Sequence, residues 1–256
     1  MRIACALVLT ATFTHFYTTM KFPYKILLNF LLVFPLNALA LFEECKEYFP
    51  EQRIPVVTTQ VGRDLCFDSF AVFYSPHTKK PIYTVEKLNR ERLSGEKVER
   101  TNRFYEEARL RKNERATLND YKNSGYDRGH NAPAGDMLNE RAMAQSFSLA
   151  NIMPQASENN RGIWAKSVEM ATRKYALRAE GDVYVFTGSV GEIEKIGNGG
   201  VTVPSHIFKL VYDQAKNRAW AYWIENKNEA RMHAPISYEE LVKLTGIDFC
   251  LRIGTP

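Results

Sequence analysis

The first 40 residues contain no aspartate or glutamate, although the whole chain of 256 residues has 29. Three of the 34 lysines and arginines fall in that stretch, leaving 31 basic against 29 acidic side chains beyond it. Most of the formal charge of +5 is thus an amino-terminal feature, and net charge alone gives no argument for a nucleic-acid partner. Long apolar runs are missing as well. The run 26–34 is about half of the ~20 residues that a membrane-spanning helix requires, and Pro35 closes it. Cysteine is scarce, with four residues and no C-x-x-C spacing, and no H-x-x-x-H pair occurs, so nothing points to a structural zinc site. No internal repeat, low-complexity tract or domain-splitting linker is present. With 45% hydrophobic residues, 14 Gly and 11 Pro, the composition excludes disordered, collagen-like and coiled-coil classes.

Lys21 and Lys25 precede the run 26–34, and Ala38-Leu39-Ala40 follows it. Basic, apolar and then small-x-small is the order of a secretory signal. Residues 1–40 are therefore expected to be a targeting segment cleaved after Ala40, with Met20 as an alternative start and an uncleaved anchor as the competing reading. A domain spanning 41–256, a secreted or periplasmic destination and no stable membrane insertion after cleavage follow from it. That compartment permits disulfides. Among Cys45, Cys66 and Cys250, a Cys45–Cys66 bridge with Cys250 as a free thiol is the simplest expectation, and pairing through Cys250 is the alternative.

Segments 70–74 and 82–85 are rich in β-branched and aromatic residues around a Ser-Pro-His-Thr turn and read as a hairpin. From 86 to 115 the chain is charge-dense and reads as a solvated excursion. Segment 160–178 has helical spacing of Ile163, Trp164, Val168, Ala171 and Tyr175. Strand patterns return at 183–187, 207–212 and 219–224, and 235–244 closes with a short helix. The expected architecture is a single α+β domain on a mainly antiparallel sheet.

Two segments carry chemistry. In Tyr126-Asp127-Arg128-Gly129-His130, extended residues i and i+2 share a face, so Arg128 and His130 can address one ligand. An arginine fit to hold phosphate oxygens beside a base titrating near neutrality is what phosphodiester hydrolysis requires. A loop ion pair and a surface histidine are the bland alternative. The second segment is Asn151-Ile152-Met153-Pro154-Gln155, followed by Asn159-Asn160-Arg161-Gly162-Ile163-Trp164; alone, such residues read as loop turns.

Together, in this order and spacing, the Asp-Arg-Gly-His tetrad, the Asn-x-x-Pro-Gln run, Asn160 and Trp164 resemble the DNA/RNA non-specific endonuclease family, which includes secreted bacterial nucleases and mitochondrial endonuclease G. Weaker likeness extends from about Cys45 through the strand containing Lys209. The resemblance implies a ββα-metal (His-Me finger) active site and hydrolysis of DNA and RNA with little sequence preference, leaving 5′-phosphate ends. It implies His130 as general base, Asn160 as the direct ligand of a divalent ion, Mg²⁺ with Mn²⁺ as the alternative, Arg128 on the phosphate and Asn151 ordering the histidine loop. Asp127 is left as a support residue. Arg161 is a candidate phosphate contact, with a solvated helix-start arginine as the other reading. The resemblance implies a homodimer as a candidate assembly, an inhibitor protein is a conceivable partner of a toxic nuclease, and no residue here demonstrates either.

One departure stands out. The family commonly places a glutamate four residues after the tryptophan, where this chain has Val168, and Glu169 follows. On a regular α-helix Glu169 lies nine residues from Asn160, about 180° around the axis, whereas eight residues give about 80°. If Glu169 serves the site, either a π-bulge between Trp164 and Glu169 or a non-helical Asn160 is expected. The shifted glutamate also motivates a second reading: a catalytically impaired member that binds nucleic acid or protein. A hydrolase using His130 with Cys66 or a serine lacks any nucleophile motif.

Overall fold

A computed structural model describes residues 41–96 and 98–253; the expected signal segment, 1–40, lies outside them. The strands are β1 (Val56–Val57), β2 (Arg63–Cys66), β3 (Phe70–Ser75), β4 (Lys80–Leu88), β5 (Tyr126–His130), β6 (Ile152–Ala156), β7 (Val183–Val190), β8 (Glu194–Ile196), β9 (Val201–Val203), β10 (His206–Asp213), β11 (Arg218–Glu225) and β12 (Ile247–Asp248). Six form one sheet in the order β11-β10-β7-β4-β3-β2, and every paired neighbour is antiparallel. The α+β, mainly antiparallel expectation holds, and the expected hairpin is β3–β4.

Because both faces of this sheet are covered, its strands read as nearly continuous apolar runs. On β10, Phe208, Leu210 and Tyr212 enter one core, while Ile207 and Val211 turn to the opposite face. The first core is aromatic, with Phe42, Phe49, Phe73, Tyr83, Phe186 and Phe249 fully or almost fully buried. The helix Tyr238–Thr245 adds Leu241 to it, capped at its start by Ser237 and ended by Gly246 at φ 69°.

The second face is the one that carries polar groups. Thr84 pairs across to Thr187, and Thr187 to Lys209. All three are buried, and Glu86 is buried one alternation further along β4. Burying such groups costs free energy unless they are partnered. Above them lie the β5–β6 ribbon and the helix that follows it.

That helix starts at Ser157, three residues before the expected boundary, and runs as α (Ser157–Asn159), π (Asn160–Glu169) and α again (Met170–Ala176). Trp164 and Val168 fix it to the sheet through Met153, Ile207 and Ile224. The segment expected to be a solvated excursion is corrected in part. Glu86 belongs to β4, and Glu107 and Leu110 are buried, because the chain returns across the sheet edge instead of leaving it. Cys45 and Cys66 form the expected disulfide, with Cα atoms 5.7 Å apart. No cysteine is free among the described residues, so the free thiol expected at Cys250 is not observed.

Candidate active site

The ribbon pairs Asp127 with Gln155, Gly129 with Met153 and His130 with Ile152. Gly129 is needed there because a Cβ would lie 2.2 Å from Gln155 Oε1. Gln155 in turn donates from Nε2 to Asn159 Oδ1 at 3.0 Å, tying β6 to the start of the helix. Strand, turn and helix therefore have one registered arrangement, and it carries Asp127 to Asn160.

Asp127 is the hub of this corner. Its Oδ2 accepts from Asn160 Nδ2 at 2.9 Å and from Arg161 Nε at 2.8 Å, and its Oδ1 accepts from Arg161 Nη2 at 2.6 Å and Ser157 Oγ at 3.0 Å. These bonds hold its carboxyl below the usual range against the opposing effect of burial. With Nδ2 committed to Asp127, Asn160 Oδ1 accepts no hydrogen bond among the described residues. Arg161, read as a phosphate contact, is engaged with Asp127 in a two-pronged ion pair while remaining 74% exposed.

His130 stands at the end of β5 and is only 8% exposed. The rings of Phe147 and Phe104 lie 4.9 and 5.5 Å from its own, and its Nε2 has no hydrogen-bond partner. Burial, then the charges of Arg100 and Arg128, depress its pKa to about 3, so the imidazole is neutral. Arg128 lies 4.2 Å over Phe104, and Arg100 lies 5.0 Å over Phe147. Two guanidinium groups thus flank the histidine on an aromatic wall.

Asn151 orders the loop beyond His130 by using its whole amide. Its Oδ1 accepts from Ala132 N at 2.9 Å, and its Nδ2 donates to Ala132 O and Ser146 O at 2.9 Å each. Its backbone oxygen also accepts from both Asn131 nitrogens.

Glu169 follows from the helix geometry. Bonding from i to i+5 widens the turn to about 4.4 residues, roughly 82° each, so nine residues bring Glu169 back to within about 20° of Asn160. Met170 N–H bonds to Ala165 O in this pattern, and Asn160 itself keeps helical angles. Of the two alternatives weighed for Glu169, the helix takes the π geometry. Burial raises the Glu169 pKa, Lys209 and Arg173 oppose that shift, and Asp136 adds to it. Glu86 is likewise pushed well up, first by burial and then by Asp136.

Several of these groups escaped the sequence reading. Arg173 is ion-paired to the buried Asp136, Lys209 Nζ donates to Thr187 Oγ1 at 2.6 Å, and Arg100 and Phe104 come from the segment dismissed as solvated. The readable signal was limited to Lys209, a charged side chain inside an otherwise apolar strand; Arg173, Asp136, Arg100 and Phe104 lie outside the strands and carried no such pattern.

Among the described residues, no three His, Cys, Asp or Glu groups converge to hold a metal ion. The donor that the helix start offers a cation is the Asn160 amide oxygen, with solvent around it. That donor set suits a hard, strongly hydrated ion such as Mg²⁺, which retains several waters.

A model of the DNA/RNA non-specific endonuclease family matches residues 50–254. The chain belongs to this family. Among its curated relatives, mitochondrial nuclease EXOG of Xenopus laevis is 31% identical over 228 residues, covering 80% of this chain and 62% of that protein. Human mitochondrial endonuclease G is 34% identical over 161 residues, covering 58% of this chain and 54% of its own. The chain thus spans less than two thirds of the length of both. A solved EndoG/EndoGI complex matches with a TM-score of 0.66 at 24% identity, over 73% of this chain and 85% of that one, and supports the fold. The mitochondrial EXOG and endonuclease G relatives, and a mitochondrial nuclease of Saccharomyces cerevisiae, correct the secreted or periplasmic destination: an apolar amino-terminal stretch does not by itself name the compartment.

Proposed function

We propose that the chain is a metal-dependent endonuclease that hydrolyses phosphodiester bonds of DNA and RNA without sequence preference and leaves 5′-phosphate ends. The observation that carries this reading is that one ribbon-and-helix unit bears both an amide oriented by Asp127, its oxygen unencumbered, and a neutral, buried imidazole whose Nε2 is unpartnered.

His130 Nε2 takes the proton of the attacking water as its oxygen bonds to phosphorus and the P–O3′ bond breaks, the 3′ oxygen leaving with the bonding pair and taking a proton from solvent. Arg128 and Arg100 draw the phosphate towards the aromatic wall and stabilise the charge that grows on its oxygens. The same anion offsets the two guanidinium charges, which brings the histidine closer to the basicity its task requires. Asn151 keeps His130 aimed by fixing the loop that follows it. Asn160 would hold a divalent ion, Mg²⁺ or Mn²⁺, which would supply Lewis-acid charge to the phosphate and the leaving oxygen. Asp127 keeps the amide oxygen of Asn160 turned towards the ion, and Glu169 orders solvent on the same side of the helix. Phosphate-directed contacts carry no base information, which accounts for sequence tolerance. An inhibitor protein is a proposed partner, by analogy with the inhibited complex of the related EndoG.

Incubation of plasmid DNA and of RNA with Mg²⁺, with and without EDTA, tests the reading. The protein is expected to cut both, EDTA to stop it, and His130→Ala to abolish cutting while still retaining substrate in a gel shift. Unchanged cleavage by His130→Ala would remove the histidine from the mechanism.

A further inference from the structure

One cavity beside the site shares Arg100 with it and is otherwise unused by this chemistry. It has a volume of about 520 Å³, with Met137 and Leu138 among its apolar walls and Arg92, Arg100, Arg173, Glu96 and Asp136 as charged ones, Asp136 pairing with Arg173. Its size falls in the ~300–1,000 Å³ range of small-molecule sites. Two of its arginines belong to the catalytic surroundings as well. Arg100 packs on Phe147, whose ring is 4.9 Å from the His130 imidazole, and Arg173 is held by Asp136. The cavity therefore opens one aromatic ring away from the general base.

A phosphate attacked by water at His130 has a nucleoside on each side, and holding that phosphate on Arg100 brings one of the two beside this cavity wall. Leucine and methionine surfaces offer dispersion contacts to a flat heteroaromatic ring. Guanidinium groups at the rim can stack on it and hold its phosphate. A phosphate alone would gain nothing from the apolar walls, and an aliphatic ligand would leave the arginines unused. A base reaches such a cavity only after leaving its stack, which costs least in a single strand.

We propose that this cavity is a nucleobase subsite that receives one unstacked base adjoining the scissile phosphate. The inference rests on the nuclease reading above. Two wall positions allow the cavity to be filled without touching the catalytic groups. A Cβ at Gly95 meets only Arg92 O at 3.8 Å, and Leu138 is half-buried on the cavity wall. Gly95→Trp and Leu138→Trp are independent ways to occupy the space.

The test walks one abasic residue through a nine-residue thymidine oligonucleotide and reads cleavage at each linkage on a gel with Mg²⁺. In the native protein the linkage on one fixed side of the abasic residue is expected to be cut about tenfold more slowly, the scale of one lost base contact. In Gly95→Trp and Leu138→Trp this contrast should shrink to below about threefold. The abasic-flanking linkage should still be cut at the native rate, which also shows that the variants are folded. No local effect of the abasic residue in the native protein, or an undiminished one in both variants, would overturn the subsite. Absence of any cleavage by the native protein would instead sink the nuclease reading itself.

Discussion

A single carboxylate decides which atom of Asn160 faces outward. Asp127 accepts from its Nδ2 and braces Arg161 and Ser157 around it, so its part is that of a positioning residue, comparable to the outer-shell partners whose loss costs about 10–100-fold in metal affinity. Asp127→Ala is expected to raise the Mg²⁺ concentration for half-maximal cleavage by at least about tenfold, with the maximal rate partly recovered at saturating metal. A metal titration of activity checks this, and an unshifted midpoint would contradict it. His130 makes a pH prediction. In the unfolded chain its imidazole takes a proton near its ordinary 6.5, but in the fold only near 3, so between those values the unfolded state binds more protons and stability falls as pH drops. The melting temperature should therefore fall less between pH 7 and pH 4 in His130→Gln than in the native protein; equal losses would show that the imidazole is not buried neutral. At this scale the motif residues His130, Arg128, Asn151 and Asn160 were legible, since their spacing is local. Asp136, Arg173 and Arg100 were not, because their meaning depends on contacts between distant segments such as Arg173 with Asp136.

The helix that bears Asn160 shows what periodicity can and cannot tell. The helical spacing of Trp164 and Val168 was visible, and so was the conflict between nine residues and a shared face, which the π segment Asn160–Glu169 resolves by changing the pitch. Its starting point was misjudged by three residues because Ser157, Glu158 and Asn159 read equally well as a turn. The π segment amounts to extra chain in an α-helix whose two ends are fixed, by Asp127 at one end and by the Arg173–Asp136 pair at the other. Deleting the exposed Lys166 should let the segment relax towards α geometry and place the glutamate eight residues from Asn160, about 80° around the axis. This shortened protein is expected to keep its fold and at least about a tenth of its cleavage rate, whereas inserting an alanine beside Lys166 should reduce the rate by about 100-fold or more. The reverse ranking in a plasmid assay would show that the π geometry does not serve the site.

At the largest scale, the described residues are built on a sheet with one apolar face and one face that hides a charged floor. The apolar face follows from composition: aromatic residues such as Phe186, Phe208 and Phe249 pack together. The charged floor was harder to read, because Glu86 and Lys209 look like the outward positions of half-buried strands until the ribbon and helix are laid over them. The disulfide belongs to this scale. Cys45 and Cys66 are 21 residues apart, and closing a loop of this length stabilises by about 3 kcal/mol in the chain-entropy account. The Cys45→Ser/Cys66→Ser variant should lose about that much in urea denaturation without losing cleavage activity at 25 °C, since Cys45 packs in the aromatic core on the face away from His130. A loss of activity in the folded variant would reveal coupling between the two faces.

The central claim is that His130 and Asn160 act on one phosphodiester as a unit, and a double-mutant cycle on kcat/KM measures that directly. Groups that act together are strongly non-additive. His130→Ala and Asn160→Ala are each expected to lower kcat/KM by at least about 100-fold, and the double variant by no more than about threefold beyond the worse single one. Losses that multiply, or near-native activity in either single variant, would contradict the account.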